Sequence, residues 1–202
     1  MYHGNRLFQK YAALCAVLLL ITGCGSTADS GNSVDTALSS PAAESGAAGE
    51  TQTQQGDLTP FPAFTATALD GSTVTESIFS EKDITVLNIW GTFCGPCIGE
   101  MPELGEWAKE MPDNVQILGL IIDINGEEDT EHRDLAVDIT QKAGADFTNL
   151  IANMDFAPIL KDVVGVPTTL FVDGEGNLVG DPVVGANVDG YKTFVEEYLG
   201  EQ

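Results

Sequence analysis

Cys94 and Cys97 stand two residues apart in Trp90-Gly91-Thr92-Phe93-Cys94-Gly95-Pro96-Cys97. Thiols at that spacing can close a reversible disulfide or supply half of a zinc site. Zinc needs about four ligands, and the other cysteines, Cys15 and Cys24, lie near the N-terminus, while His132 is the only histidine beyond His3. The ligand count therefore favours a dithiol redox pair, with no metal and no cofactor beyond the cysteines themselves. His132, in the polar stretch Glu127 to Asp134, reads as a solvated helix residue.

Two elements must position the pair. Ile84 to Trp90 is a mostly apolar run, as expected of a central strand buried on both faces. From Cys94 to Met111, Ile98, Met101, Leu104, Ala108 and Met111 recur at helical spacing, with Pro102 expected to interrupt and kink the helix. A strand ending at Trp90 and a helix starting near Cys94 put the first thiol at a helix N-terminus, where free amides and the dipole stabilise a thiolate. Cys94 is thus the expected nucleophile, and Cys97, one turn on, the thiol that resolves a mixed disulfide. Gly95 frees the turn, and Pro96 fixes φ where no donor is lost.

The remaining pattern is of one domain from Leu58 to Gln202. Phe64 to Leu69 and Thr73 to Thr75 flank Asp70-Gly71, a hairpin signal. Val115 to Asp123 reads as a second buried strand, and Glu127 to Ala143 as a helix burying Leu135, Ile139 and Ala143. Phe147 to Ile151 fits a short strand or an extended connector, and a short helix is expected around Pro158 to Val164. Thr168 to Val172 and Asn177 to Val179 flank the turn Asp173 to Gly176, and Asp189 to Leu199 is the terminal helix. Together these predict an α/β fold with a mixed sheet flanked by helices.

The first 57 residues carry different signals. Arg6 and Lys10 precede an apolar run of 11 residues, Tyr11 to Ile21, too short to span a bilayer as a mature helix. Ile21-Thr22-Gly23-Cys24 resembles the lipobox of bacterial lipoproteins, which implies a signal peptide over residues 1–23 and a lipidated Cys24; an ordinary secretory signal with an incidental Cys24 is the alternative. Residues 24–57 are then a lipidated cysteine and an acidic, Ser-, Gly- and Ala-rich linker expected to be disordered, with a reach of ~30 Å. The linker could equally be a passive spacer.

The chain has 8 basic and 31 acidic residues, a net charge of −23. Removing residues 1–23 would take Arg6 and Lys10 and no acid, leaving −25. Such a chain is no nucleic-acid binder and is repelled by anionic headgroups, so membrane residence would rest on the anchor.

Trp90-Gly91-Thr92-Phe93-Cys94-Gly95-Pro96-Cys97-Ile98-Gly99-Glu100-Met101-Pro102-Glu103-Leu104 resembles the active-site segment of the TlpA/ResA-type thioredoxin-like proteins, membrane-anchored extracytoplasmic thiol-disulfide oxidoreductases. Gly165-Val166-Pro167-Thr168-Thr169 before an apolar strand matches the family's second landmark. The resemblance implies a thioredoxin fold with an N-terminal β-hairpin and an internal helix and strand insertion near residues 125–157. It also implies a cis Val166-Pro167 bond against the cysteines, where Val166 can pair with an extended substrate. Where cytoplasmic thioredoxins bury an aspartate, this chain has Asn88, which cannot take the Cys97 proton. Glu100 is a candidate for tuning the pair, and ordinary helix-surface chemistry explains it equally well.

The expected activity is reduction of disulfides in exported proteins, an apocytochrome c among the client classes the resemblance implies, with a membrane thiol carrier as electron donor. Gly-Pro between the cysteines, and no histidine there, lean toward reduction. A dithiol oxidase, a thiol peroxidase and a metallochaperone or other binding module on the same scaffold are the alternatives. The Thr92-Phe93-Cys94 loop lacks the proline usual in peroxidases, and only His132 could complete a metallochaperone site.

Overall fold

A computed structural model describes residues 59–201, so the readings for residues 1–57 lie outside it. Along the described chain come β1 (Thr59–Pro60), β2 (Thr65–Thr67), β3 (Thr73–Thr75), a 3-10 segment (Glu76–Glu81), β4 (Ile84–Trp90), α1 (Gly95–Glu110) and β5 (Val115–Ile121). These are followed by α2 (Thr130–Ala143), β6 (Asn149–Ile151), a 3-10 turn (Met154–Phe156), α3 (Ala157–Leu160), β7 (Thr168–Asp173), β8 (Asn177–Val184) and α4 (Val188–Gly200).

Six strands form one mixed sheet in the order β1-β8-β7-β4-β5-β6, and β2-β3 is a separate hairpin bridged to β6 between Ala68 and Leu150. β4 is central, parallel to β5 from Ile84↔Val115 to Trp90↔Ile121 and antiparallel to β7 from Ile84↔Asp173 to Ile89↔Thr168. All seven of its residues are buried, because both of its faces are covered. Ile84, Val86 and Trp90 face α1, α2 and α4, together with Val115, Ile117 and Ile121 of β5. Leu87, Ile89, Leu118 and Leu120 face the other layer. There Phe61 and Phe64, between β1 and β2, meet Phe79 and Phe156 of the two 3-10 segments in edge and tilted contacts with centroids 4.8–6.4 Å apart. This is the thioredoxin fold, with the hairpin ahead of it and α2 and β6 between β5 and β7.

Several boundaries differ from the sequence pattern. α1 runs through Pro102 without interruption; the proline sits on the exposed side, away from the packing contacts of Met101 and Leu104. α2 starts at Thr130 rather than Glu127, because Asp129 turns its side chain onto the His132 amide at 3.3 Å as the N-cap. It buries Ala136, Ile139 and Thr140, leaving Leu135 exposed, since Thr140 bonds back to the Ala136 carbonyl at 3.0 Å and tolerates burial. α3 ends at Leu160, four residues short of the expected Val164. β1 carries no sequence signal, being two exposed residues ordered by pairing Thr59↔Leu178 and Pro60↔Asn177. The turn between β7 and β8 is held as its composition predicts, with Asp173 Oδ1 accepting from the amides of Glu175 and Asn177 at 2.9 and 2.8 Å.

Candidate active site

β4 delivers Trp90 to the C-terminal edge of the sheet, and the chain turns at once into α1. The turn is closed by the Cys94 amide donating to the Gly91 carbonyl at 3.0 Å. Cys94 becomes the N-cap of α1, its sulfur accepting from the Cys97 amide at 3.2 Å, with Pro96 in the first turn where no amide is missed. Cys94 and Cys97 are joined as a disulfide, their Cα atoms 5.3 Å apart. The two sulfurs are not equivalent. Cys97 is fully enclosed, whereas Cys94 retains 6% exposure and its Sγ lies 3.4 Å from the Val166 carbonyl oxygen.

The Val166-Pro167 bond is cis, as the resemblance implies, and Val166 is partly exposed beside Cys94. Phe93 is 68% exposed and Gly95 and Pro96 are exposed, so the loop presents an uncharged rim around the accessible sulfur. Trp90 is wholly buried beneath the loop, its indole N–H donating to Asn149 Oδ1 at 3.0 Å. That bond requires Gly119 on β5, because a Cβ there would fall on the Asn149 carboxamide.

Behind Cys97 lies a buried polar network. Glu100, three residues along α1, is only 5% exposed, so it is not a surface helix residue. Asn88 Nδ2 on β4 donates to Glu100 Oε1 at 2.8 Å and to Thr169 Oγ1 at 3.1 Å. Asn88 Oδ1 is buried without a protein partner. From α4, the Tyr191 hydroxyl lies 3.1 Å from Glu100 Oε2 and 2.9 Å from the Gly185 carbonyl. One phenolic proton serves only one acceptor at a time. An ionised Glu100 therefore competes with the Gly185 carbonyl for it. Burial pushes the Glu100 carboxyl above its ordinary range, with the Asn88 and Tyr191 hydrogen bonds pulling the other way. Burial likewise raises the Tyr191 phenol. The structure thus groups Asn88 and Glu100 with Thr169 and Tyr191, which no sequence spacing singles out. The spacing of Cys97, Glu100, Met101 and Leu104 on one helical face was the available signal for a buried glutamate.

A second hydrogen-bonded set holds the loop from outside. Thr92 donates its amide to Asp123 Oδ1 and Oδ2 at 3.1 and 3.0 Å and its hydroxyl to Oδ2 at 2.6 Å. His132, expected as a solvated helix residue, is partly exposed with Nδ1 2.8 Å from Asp129 Oδ1. Its pKa is raised, chiefly by that hydrogen bond, while Asp129 is lowered to about 2, first by the Asn125 amide and then by His132. Among the described residues no three His, Cys, Asp or Glu side chains converge as a metal site.

A buried and an accessible cysteine at a helix N-terminus, facing a cis-proline loop, is the equipment of thiol-disulfide exchange. The family model described as AhpC/TSA matches residues 58–180. The chain belongs to the AhpC/TSA family. It is 30% identical over 141 residues to the thiol-disulfide oxidoreductase ResA of Bacillus thuringiensis, covering 68% of this chain and 73% of that protein. A thiol:disulfide interchange protein of Chlorobium tepidum superposes with a TM-score of 0.55 at 21% identity, over 66% of this chain and 90% of that one. The exposed lipoprotein thioredoxin Etrx1 of Streptococcus pneumoniae superposes with a TM-score of 0.52 at 25% identity, over 67% of this chain and 98% of that one. Within the AhpC/TSA family this is therefore a ResA/TlpA-like thiol-disulfide oxidoreductase, with Cys94 and Cys97 as its cysteine pair.

Proposed function

We propose that this chain is a lipid-anchored, extracytoplasmic reductase of disulfides in exported proteins, with Cys94 attacking and Cys97 resolving. The observation that carries the order of attack is the unequal placement of the sulfurs: Cys94 Sγ caps α1 at the mouth beside Val166, and Cys97 is enclosed. In the reduced protein the Cys94 thiolate attacks one sulfur of a client disulfide, forming a Cys94–client bond and releasing the other client sulfur as a thiolate that takes up a proton. Cys97 then gives up its proton, with Glu100 the nearest buried carboxylate on its helix face, and attacks Cys94 Sγ. The second client thiol leaves, the client has gained two electrons and two protons, and Cys94–Cys97 is a disulfide. A membrane thiol carrier returns two electrons to it. Val166 offers backbone for an extended client strand, as the cis-proline loop of the family implies.

The anchor reading rests on Ile21-Thr22-Gly23-Cys24, and the naming of the pneumococcal neighbour as an exposed lipoprotein supports it. Cys24→Ser should move the protein from the membrane fraction to the soluble fraction; retention in the membrane would count against lipidation. For the chemistry, Cys97→Ala should accumulate a Cys94–client mixed disulfide, and an apocytochrome c among the captured species would assign a role in cytochrome c maturation. Cys94→Ser should abolish turnover. A Cys94/Cys97 potential near about −270 mV fits a reductase, and one near about −120 mV would overturn it in favour of an oxidant.

A further inference from the structure

Asp123 makes three hydrogen bonds to one residue of the active-site loop, and nothing in the exchange chemistry yet uses it. It lies two residues beyond β5, and both of its oxygens converge on Thr92, which is 6% exposed and two residues before Cys94. Thr92 is an inner residue of the turn that the Cys94 amide closes onto Gly91. The same edge is tied once more by the Ile122 amide donating to the Trp90 carbonyl at 3.0 Å. Asp123 is itself backed by Asn125, whose Nδ2 reaches its carbonyl at 3.3 Å and whose amide donates to Asp129 Oδ2 at 2.9 Å. The loop bearing Cys94 is thereby fastened to the start of α2.

A neutral acceptor would satisfy the Thr92 amide. A carboxylate does more and also costs something, because its charge is held on Thr92, two residues before the sulfur that α1 is meant to ionise. We propose that Asp123 is a positioning residue for thiol exchange, its carboxylate locking the Gly91–Cys94 turn so that Cys94 Sγ stays at the N-cap of α1 facing Val166. Its negative charge also restrains the Cys94 thiolate that the helix N-terminus favours. The other titratable groups around Cys94 are Cys97 and Glu100 on α1, Tyr191 of α4 behind Glu100, and His132 with Asp129 behind Asp123. The loop before β7 carries Lys161 and Asp162, which face solvent 4.0 Å from each other, and Val166 and Thr169 do not titrate. The inference rests on the reading that Cys94 is the attacking sulfur.

Two variants of the full chain separate lock from charge. Asp123→Asn keeps an acceptor for the Thr92 amide and a donor for its hydroxyl but loses the charge, whereas Asp123→Ala loses both. With Cys97→Ala in each background, iodoacetamide alkylation of Cys94 is followed against pH, and mixed-disulfide formation with a client peptide is followed at a pH where Cys94 is fully ionised. Asp123→Asn should move the alkylation midpoint to lower pH and leave the rate at full ionisation unchanged. Asp123→Ala should share the lower midpoint but form the mixed disulfide about tenfold more slowly than Asp123→Asn. A purely structural Asp123 would lower the melting temperature without that rate difference. Equal rates for Asp123→Ala and Asp123→Asn at full ionisation would overturn the positioning role, and an unmoved midpoint in Asp123→Asn would overturn the role of the charge. Turnover persisting in Cys94→Ser with Cys97 intact would instead sink the underlying assignment of the nucleophile.

Discussion

Glu100 combines two properties that oppose each other, a charge that burial penalises and a position one helical turn from the cysteine that must lose a proton. Among the described residues no lysine or arginine pairs with Glu100: Lys192 on α4 pairs with Glu103 at 2.8 Å instead. Burial therefore raises the Glu100 carboxyl above its ordinary value of 4.5, against the pull of Asn88 and Tyr191. The folded state then keeps this proton at a pH where the unfolded chain has lost it. Stability falls as pH rises from about 4.5 through the raised folded value, and the penalty is complete above it. Glu100→Gln removes the penalty and keeps an oxygen for Asn88. Its urea midpoint should match the wild type at pH 4 and exceed it at pH 8. If Glu100 also accepts the Cys97 proton, the same variant should resolve mixed disulfides about 100-fold more slowly, seen as a persistent Cys94–client adduct. A gain in stability with no loss of resolution would leave Glu100 as a buried structural acid. The sequence disclosed this residue only in part. Its place on the face of Cys97, Met101 and Leu104 was readable, but Asn88 and Tyr191, 12 and 91 residues away, become its partners only through the β4–α1–α4 packing.

α1 and α2 approach through Gly105, where an added Cβ would stand 2.6 Å from the Gly144 carbonyl oxygen. Gly105→Ala should force the helices apart and cost about 2 kcal/mol in urea unfolding, while leaving the alkylation profile of Cys94 in place. At the other end of α2, Asp129 caps the helix and partners His132. Its contribution is present above the ordinary 3.8 and is lost as pH falls through about 2. The raised His132 works in the opposite direction, its contribution being complete below 6.5 and lost as pH rises through its folded value. Asp129→Ala should accordingly lower the melting temperature by about 3 °C at pH 6 and by less at pH 9. At this scale the sequence showed most of the fold, because β4 and β5 are near-continuous apolar runs and α1 and α4 carry apolar residues at helical spacing. It missed what pairing alone creates. β1 exists through Leu178 and Asn177, and the rotated face of α2 follows from Thr140 satisfying its hydroxyl within the helix. The Asp123–Thr92 and Asn149–Trp90 bonds span 31 and 59 residues and leave no local trace.

Across the whole molecule, the net charge of −23 is set against an active-site rim that carries little charge of its own. Phe93 is 68% exposed beside Cys94, and Gly95, Pro96 and the partly exposed Val166 complete the surface around that cysteine. A client therefore makes its closest contacts with apolar and backbone groups, and the charge acts on its approach through the long-range field. Such a field should change the association rate and leave the exchange step alone. The Debye length is about 30 Å at 0.01 M salt and about 3 Å at 1 M, so added salt erases the field while sparing short contacts. Two disulfide peptides of equal length, one with four lysines and one with four glutamates, make the comparison. Between 0.01 and 1 M salt, kcat/KM for the basic peptide should fall by about tenfold or more and that for the acidic peptide should rise, with kcat constant for both. Parallel salt dependence for the two peptides would mean that the acidic surface keeps the protein soluble without selecting clients. A change in kcat would mean that added salt also weakens the Asp123 charge held at Thr92, and that change should then be absent in Asp123→Asn.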